Sequence, residues 1–175
     1  MPFYMVLNGQ TNAHHFDYLS HDPNPRLDKT LAHGDQKKPI EHHANKRLFA
    51  LEIMSRNVFT LKPSDSLEKA MQLLQKHRIH HIPILNDQEK LVGQLSDRDL
   101  LKVEDNKLFS LIAIQDIMSH IVVACTYDTD ARDLSRVLVR EQISALPVLD
   151  DDLKLNGIVS RVDVLKAVVD GKFQY

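Results

Sequence analysis

The fold is decided by the stretch GQLSDRD at residues 93–99, which returns as GIVSRVD at residues 157–163. Each copy places Gly-x-x-Ser-x-x-Asp directly after an apolar run. A Ser with an acid three residues later is typical of a helix start, where hydroxyl and carboxylate satisfy free backbone N–H groups. The same free N–H groups, with the Ser and the acid, could instead form a polar corner for a phosphorylated ligand. The motif therefore predicts that a helix begins at each copy, and it does not decide between helix capping and ligand binding.

The motif belongs to a longer tandem repeat. Residues 53–102 align with residues 117–166 without a gap, at the offset of 64 that places Gly93 on Gly157. Identical positions include an opening Ile-Met-Ser, a central proline, and the Gly, Ser and Asp of the motif. Such a register indicates an internal duplication.

Each copy predicts the order strand, helix, strand, strand, helix. The first strand is expected at Asn57–Leu61 and at Ile121–Cys125, each before a helical pattern. Two apolar runs split by a polar turn then predict a hairpin. The hairpin strands are expected at His81–Leu85 and Lys90–Leu95, and at Ala145–Leu149 and Lys154–Val159. The last helix is expected to begin after Ser96 or Ser160.

The first helix of each copy has one apolar face. The residues on these faces are Leu67, Ala70, Met71 and Leu74 in the first copy and Ala131, Leu134 and Leu138 in the second. Asp65 is expected to cap the first of these helices, with Glu68 three residues later. Neither copy is large enough to be stable alone, so we expect the two to share a buried face.

The remaining N-terminal part has a different composition. Residues 1–47 contain six of the ten histidines and show no sustained periodicity. Phe3–Leu7 before Asn8-Gly9 predicts a strand and a turn, and the rest is expected to be partly extended or mobile. The domain prediction is therefore an extension over 1–47, a first repeat over 48–110 and a second over 111–175.

Histidines suggest a metal site as a less favoured alternative. The candidate ligands are His14, His15, His21, His33, His42 and His43. They lack a His-x-x-Glu-His motif and regular helical spacing, so a polar segment is the preferred interpretation.

Bulk composition excludes several classes of function. A net charge of −2 and the lack of tryptophan argue against a nucleic-acid partner. No apolar run approaches the length of a membrane helix, and the N-terminus lacks a signal-peptide pattern, so we expect a cytoplasmic protein without a membrane partner. The single cysteine, Cys125, lies in an apolar run and is expected to be a buried, inert thiol.

The duplicated order of Met-Ser, strand, helix, proline-containing hairpin and Gly-x-x-Ser-x-x-Asp resembles a pair of CBS domains, also called a Bateman module. The resemblance covers roughly residues 50–170. It implies an α+β fold in which two tandem repeats pack pseudo-symmetrically. It also implies an adenosine-containing regulatory ligand, such as AMP, ADP, ATP or S-adenosylmethionine, in the cleft between the repeats, with no required cofactor.

The resemblance further implies two clefts, each built from both repeats. In the first, the Asp99 carboxylate would accept hydrogen bonds from both ribose hydroxyls. The residues implied for this cleft are Gln94, Ser96, Arg98, Asp99, Val122, Ile143, Ser144, Ala145, His80 and His81.

The second cleft is its pseudo-symmetric counterpart. The residues implied for it are Ile158, Ser160, Val162, Asp163, Val58 and the edge at 79–81, with Arg161 as a compensating cation. Its phosphate side has Ser144 and Ala145 where the first cleft has histidines. We therefore expect the first cleft to bind a phosphorylated ligand better.

Each site residue also has a purely structural interpretation. Ser96 and Ser160 are good helix caps without any ligand. Asp99 and Asp163 would favour the helix dipole, and Arg98 could be a solvated surface residue. Because side chains alternate along a strand, one of His80 and His81 is expected to be exposed.

No catalytic motif is recognisable, so the sequence favours a binding module over an enzyme. The resemblance implies a homodimer that relays ligand status to an unidentified effector protein. An exposed apolar helix face at Leu100-Leu101 and Val164-Leu165 is expected to form the dimer interface. The alternative is a scaffold or dimerisation protein that keeps the fold and has lost its ligand.

Overall fold

The computed structural model describes residues 3–20 and 47–172. The strands are β1 (Phe3–Leu7), β2 (Gln10–His14), β3 (His81–Leu85), β4 (Leu91–Ser96), β5 (Ile121–Thr126), β6 (Ala145–Leu149) and β7 (Leu155–Ser160). The helices are α1 (Ala50–Ile53), α2 (Leu67–His77), α3 (Asp97–Leu100), α4 (Ala131–Arg140) and α5 (Arg161–Val169). Short 3₁₀ turns lie at Asp17–Leu19, Asn106–Leu108 and Ile114–Asp116.

The strands form one sheet in each repeat. The first repeat has the antiparallel hairpin β3-β4, and the second has the order β2-β1-β5-β6-β7. Strands β5 and β6 are parallel, whereas β6 and β7 form the second hairpin. Both predicted hairpins are therefore confirmed, each with its ends within one residue of the expected positions.

The N-terminal strand and turn are also present. Asn8 and Gly9 have positive φ angles of 49° and 81°, as a tight hairpin turn requires. Strand β1 then pairs antiparallel with β5, with Val6 opposite Val122. Residues 3–14 thus extend the sheet of the second repeat.

The predicted strand at Asn57–Leu61 is wrong. Only Leu61 makes a bridge, to Ile84. Its counterpart β5 has β1 on one side and β6 on the other. In the described part of the chain the first repeat has no strand equivalent to β1, so the run at 57–61 lacks this second neighbour.

The predicted cap of α2 is displaced by one residue. Ser66 is the cap, and its hydroxyl accepts a hydrogen bond from the Lys69 backbone N–H at 3.3 Å. The Asp65 carboxylate instead accepts from the Lys62 backbone N–H at 2.8 Å and from the Lys69 ammonium at 2.7 Å. Asp65 therefore holds the turn that precedes the helix.

The opening segment of each repeat lies on the other repeat. The Ala50 N–H donates to the Thr129 carbonyl at 2.9 Å, and the equivalent Ile114 N–H donates to the Asp65 carbonyl at 2.8 Å. The motif glycines of one repeat pack against the Met-Ser pair that ends the opening segment of the other repeat. A Cβ at Gly93 would lie 2.5 Å from Met118 Sδ, and a Cβ at Gly157 would lie 2.5 Å from Met54 Sδ. The two repeats are thus interlocked through their own duplicated motifs.

Three apolar clusters hold this arrangement. One fills the first repeat under α2, and another fills the second repeat under α4 and includes Phe3 and Phe16 from the N-terminal segment. The third lies between the repeats. Its buried members are Val6, Leu91, Val122, Ala124 and Leu149. The N-terminal hairpin is therefore part of the core that joins the two repeats.

The expected exposed helix face is only half correct. Leu100 and Val164 are buried, with exposed fractions of 9% and 8%, because they pack into the cores of their repeats. Leu101 and Leu165 are exposed, at 81% and 61%. Further exposed apolar residues on α5 are Val162, Val168 and Val169.

Cys125 is fully buried, as predicted. Burial raises the pKa of its thiol far above the usual range, so the reactive thiolate form is strongly disfavoured.

Candidate functional site

A cavity of about 260 Å³ opens between the two repeats. Its lining residues come from β3, β4 and α3 of the first repeat, and from β5, the first residue of β6 and the segments just before these two strands in the second repeat. They are His81, Gln94, Ser96, Arg98, Asp99, Ser119, Ile121, Val122, Val123, Ile143, Ser144 and Ala145. Of the residues expected for the first cleft, the structure brings all but His80 into this cavity.

The fold positions these groups because β4 ends at the cavity. Ser96 is the last residue of β4 and the cap of α3, so the chain turns into the helix at the cavity wall. On the other side, Val122 belongs to β5, and Ala145 is the first residue of β6. One wall is therefore polar and carries the motif, and the other is largely apolar.

Asp99 is held by a capping box. Its Oδ2 accepts hydrogen bonds from the Ser96 backbone N–H at 2.8 Å and from the Ser96 hydroxyl at 2.7 Å. Its Oδ1 accepts from the Lys102 ammonium at 2.6 Å. Burial alone would raise the pKa of Asp99, but the hydrogen bonds from Lys102 and Ser96 outweigh it and hold the pKa below its usual range. Asp99 is thus a carboxylate at neutral pH.

The capping box limits what Asp99 can offer a ligand. A carboxylate oxygen has two lone pairs, and both of those on Oδ2 are engaged by Ser96. Only Oδ1 has spare capacity, and Lys102 takes part of it. A ribose that placed one hydroxyl on each oxygen would therefore have to displace one of the Ser96 hydrogen bonds from Oδ2.

The two adjacent histidines have different environments. His81 lines the cavity, and burial lowers the pKa of its imidazole, in spite of the nearby Asp97 and Asp99 carboxylates. The exposed His80 ring lies outside the cavity lining and contacts Asp97, with 2.7 Å between Nδ1 and Oδ2. One of the pair is therefore exposed, as the strand alternation predicted.

Arg98 contributes its side chain to the cavity wall. The described residues 3–20 and 47–172 place no carboxylate within 4.0 Å of its guanidinium. Its positive charge is therefore available to an anionic group in the cavity.

The pseudo-symmetric residues of the second motif have a similar capping geometry. Asp163 Oδ2 accepts from the Ser160 backbone N–H at 2.8 Å and from its hydroxyl at 2.6 Å. Ile158 pairs with Ser55, and the half-buried Val58 follows close behind in the chain. This motif therefore contacts the opposite repeat at Ser55, and its expected contact with Val58 and the edge at 79–81 stays a prediction.

Arg161 has structural contacts of its own. Its Nε donates to the Ile143 carbonyl at 2.9 Å, and its Nη2 donates to the Leu138 carbonyl at 3.1 Å. Since Leu138 lies in the last turn of α4, the guanidinium satisfies a helix-end carbonyl. A role in ligand binding would require Arg161 to break these bonds.

Sequence reasoning missed three lining residues, Ser119, Ile121 and Val123. Ser119 belongs to the repeated Met-Ser opening, so the duplication was the signal for it. Ile121 and Val123 flank Val122 on β5 and line the cavity together with it. Nothing in the sequence indicates that three consecutive residues of β5 line the cavity.

The histidine-based metal site falls mostly outside the described residues. His14 packs edge-on against Phe16, and His15 hydrogen-bonds to Ser20, while His21, His33, His42 and His43 are not described. Within residues 3–20 and 47–172, no three His, Cys, Asp or Glu side chains are grouped as metal ligands. None of the helices in these residues has the length and apolar character needed to cross a membrane.

Comparison with known proteins adds to this geometry. The structure superposes on the crystal structure of CBSX2 in complex with AMP with a TM-score of 0.63 and 32% identity, over 71% of this chain and 98% of that one. It superposes on the CBS domain pair of protein MJ0100, in complex with 5′-methylthioadenosine and S-adenosyl-L-methionine, with a TM-score of 0.65 and 28% identity, over 73% and 99% of the two chains.

Curated relatives include much longer proteins. Inosine-5′-monophosphate dehydrogenase of Methanocaldococcus jannaschii is 27% identical over 66% of this chain, but the match spans 22% of the dehydrogenase. The chloroplastic CBS domain-containing protein CBSX2 of Arabidopsis thaliana is 28% identical, over 66% of this chain and 60% of that protein. The similarity therefore covers less than two thirds of either relative.

The family model of the CBS domain matches twice, at residues 50–106 and 114–170. Both matches contain one complete copy of the repeated motif, and the two copies meet in the interlocked arrangement described above. This chain belongs to the CBS domain family and carries a tandem CBS pair.

Proposed function

We propose that this protein is a non-catalytic regulatory module that binds an adenosine-containing ligand between its two CBS repeats. The observation that carries the proposal is the cavity, which joins the motif residues of the first repeat to an apolar wall from the second. A concave site with a few convergent polar groups is typical of small-molecule recognition.

Each wall has a defined part in the proposal. The apolar wall at Val122 and at Ile143–Ala145 receives the adenine ring. Asp99 accepts hydrogen bonds from the ribose. His81 and Arg98 lie on the cavity wall where they can contact a phosphate, and Arg98 supplies the positive charge.

Similar proteins support this assignment. CBSX2 was crystallised with AMP, and the MJ0100 pair with 5′-methylthioadenosine and S-adenosyl-L-methionine. Adenosine is the part that these ligands share. AMP, ADP, ATP and S-adenosylmethionine are therefore the candidates for this chain, and the positive charge of Arg98 favours those with a phosphate.

Of the two pseudo-symmetric clefts, the one at Asp99 is the better phosphate site. At the position equivalent to Arg98 the second motif has Val162, and Arg161 is engaged by two backbone carbonyls. An anionic ligand would therefore find less positive charge beside Asp163.

Regulation would proceed through other protein surfaces. The exposed apolar residues Leu101, Leu165 and Val169 are suited to a homodimer contact, which would let ligand binding change the relative orientation of two protomers. A separate effector protein would then respond to that change.

The test is a ligand panel followed by a targeted variant. Thermal unfolding is measured with AMP, ADP, ATP, S-adenosylmethionine and GMP as the guanine control. A ligand at about a hundred times its dissociation constant stabilises a protein by about 2.7 kcal/mol, which shifts the melting temperature by several degrees. Asp99→Asn should remove the shift for the preferred compound, since the amide keeps the side-chain shape and loses the charge.

A ligand-free scaffold is the second candidate function. The observation that favours it is the salt bridge to Lys102, which already takes part of the hydrogen-bonding capacity of Asp99 Oδ1. If protein shown to carry no bound nucleotide gives no shift with any compound, the scaffold replaces the nucleotide sensor.

A further inference from the structure

The two motif aspartates differ in one respect that the repeat does not predict. In both, Oδ2 is engaged by the backbone N–H and hydroxyl of the capping serine. Only Asp99 also forms a salt bridge, to Lys102 at 2.6 Å. The second repeat has Lys166 at the equivalent position, yet no cation lies within 4.0 Å of Asp163 in the described part of the chain.

The Lys102 contact lies on the one carboxylate oxygen of Asp99 that still has a lone pair to spare. Oδ2 has no lone pair left for a further donor, so a ribose hydroxyl must bind at Oδ1. Lys102 occupies one of the two lone pairs of Oδ1. A single hydroxyl could bind beside the ammonium, whereas a diol that places both hydroxyls on Oδ1 requires the ammonium to leave.

We propose that Lys102 is a specificity-determining residue of the Asp99 cleft, because it competes with the ribose diol for Oδ1. The proposal rests on the adenosine-binding function described above. Lys102 thereby lowers the advantage of a ribonucleotide over a deoxyribonucleotide in this cleft. Asp163, which has no such competitor, accepts both hydroxyls without an exchange of partners.

The salt bridge between Lys102 and Asp99 is weak enough for a ligand to displace it. The Lys102 side chain is 59% exposed and that of Asp99 is 14% exposed, so the displaced ammonium returns to water with little penalty. Exposed ion pairs contribute about 0.2–1 kcal/mol. Removal of Lys102 should therefore increase the selectivity for ribose by about 1.4- to fivefold, which is this energy converted into a ratio of dissociation constants.

The experiment measures one ratio by isothermal titration calorimetry. AMP and 2′-deoxy-AMP are titrated into the full chain in an Asp163→Asn background, which leaves the Asp99 cleft as the ribose-reading site. The ratio of the two dissociation constants cancels any change in phosphate attraction that follows the loss of a positive charge. Lys102→Met is compared with the parent, and Lys166→Met is the matched control.

We expect the ratio of the 2′-deoxy-AMP dissociation constant to the AMP dissociation constant to increase about 1.4- to fivefold in Lys102→Met and to stay constant in Lys166→Met. An unchanged or smaller ratio in Lys102→Met, with AMP still bound, would overturn the role of Lys102 and leave the proposed function intact. An equal rise in both variants would also overturn it, since the effect would then come from net charge. Failure of AMP to bind to both the parent and Lys102→Met would overturn the role of Lys102, whereas failure of every compound in the ligand panel would reject the proposed function itself.

Discussion

Gln94 and Ser119 donate backbone hydrogen bonds to each other, at N–O distances of 3.0 and 2.9 Å. Gln94 belongs to the first repeat and Ser119 to the opening segment of the second, and both line the cavity. Ser55 and Ile158 exchange the equivalent pair of bonds at 2.9 and 3.0 Å. Each copy of the motif thus fixes the opposite repeat in place. The second copy therefore has a structural role, whatever it also contributes to a ligand.

Because the repeats pack so closely at the motif glycines, the addition of a single methyl group there should lower the stability of the protein substantially. In Gly93→Ala the new Cβ would lie 2.5 Å from Met118 Sδ and 3.0 Å from the Ser119 carbonyl oxygen. Such overpacking costs about 1–3 kcal/mol, and Gly157→Ala should behave in the same way at Met54. Urea unfolding at pH 7 measures the loss.

The control for Gly93→Ala is a double-mutant cycle with Met118→Ala. Truncation of Met118 removes the sulfur that the new Cβ meets, so the two substitutions together should cost less than the sum of each alone. Strict additivity would mean that the close contact is relieved in another way.

The sequence was informative where a pattern is local. The two hairpins, the capping serines and the buried faces of α2 and α4 depend on residues within one copy, and all are present. The offset between the copies then aligned Gln94 with Ile158 and Ser119 with Ser55. From that alignment and the family resemblance, nine of the twelve residues that line the cavity could be predicted.

Other features depend on contacts between distant segments. Nothing in Asn57–Leu61 differs enough from Ile121–Cys125 to indicate that only the latter has a partner in β1. The sequence around Arg161 cannot show that the Ile143 and Leu138 carbonyls lie within hydrogen-bond distance of its guanidinium. Likewise, the repeat places Lys102 and Lys166 in equivalent positions, and only the structure separates them.

The N-terminal hairpin should be essential for stability. Phe3 is 1% exposed and belongs to the core of the second repeat, so Phe3→Ala should cost about 3–5 kcal/mol. Leu7→Ala, in the same strand, is the matched control, because Leu7 is 48% exposed and should lose far less. Chemical denaturation of both variants provides the comparison. Equal stability of Phe3→Ala and the parent would show that the hairpin does not contribute to the folded core.

Acid should weaken the capping box of α3. The folded-state pKa of Asp99 is below its unfolded value, so its contribution is present above pH 4 and is lost as the pH falls through the lowered pKa. Asp99→Asn should therefore cost about 1 kcal/mol at pH 7. The difference from the parent should shrink below pH 4 in urea titrations at pH 7, 5, 4 and 3. A difference that is constant with pH would assign the effect to shape rather than to charge.

The imidazole of His81 predicts the direction of a pH effect on binding. Burial lowers its pKa in the free protein, so the ring is neutral at pH 7. A phosphate beside it would favour the protonated form, and binding would then take up a proton. Affinity for AMP should therefore rise as the pH falls from 8 towards 6, by at most about tenfold per pH unit for one proton.

The charge on His81 can be separated from the ionisation of the phosphate by a pair of variants. His81→Gln should flatten the pH dependence of the AMP dissociation constant relative to the parent, since the phosphate titrates equally in both. His80→Gln should keep the dependence, because His80 lies outside the cavity lining and contacts Asp97. Parallel pH profiles for His81→Gln and the parent would place the phosphate away from His81 and leave Arg98 as its principal contact.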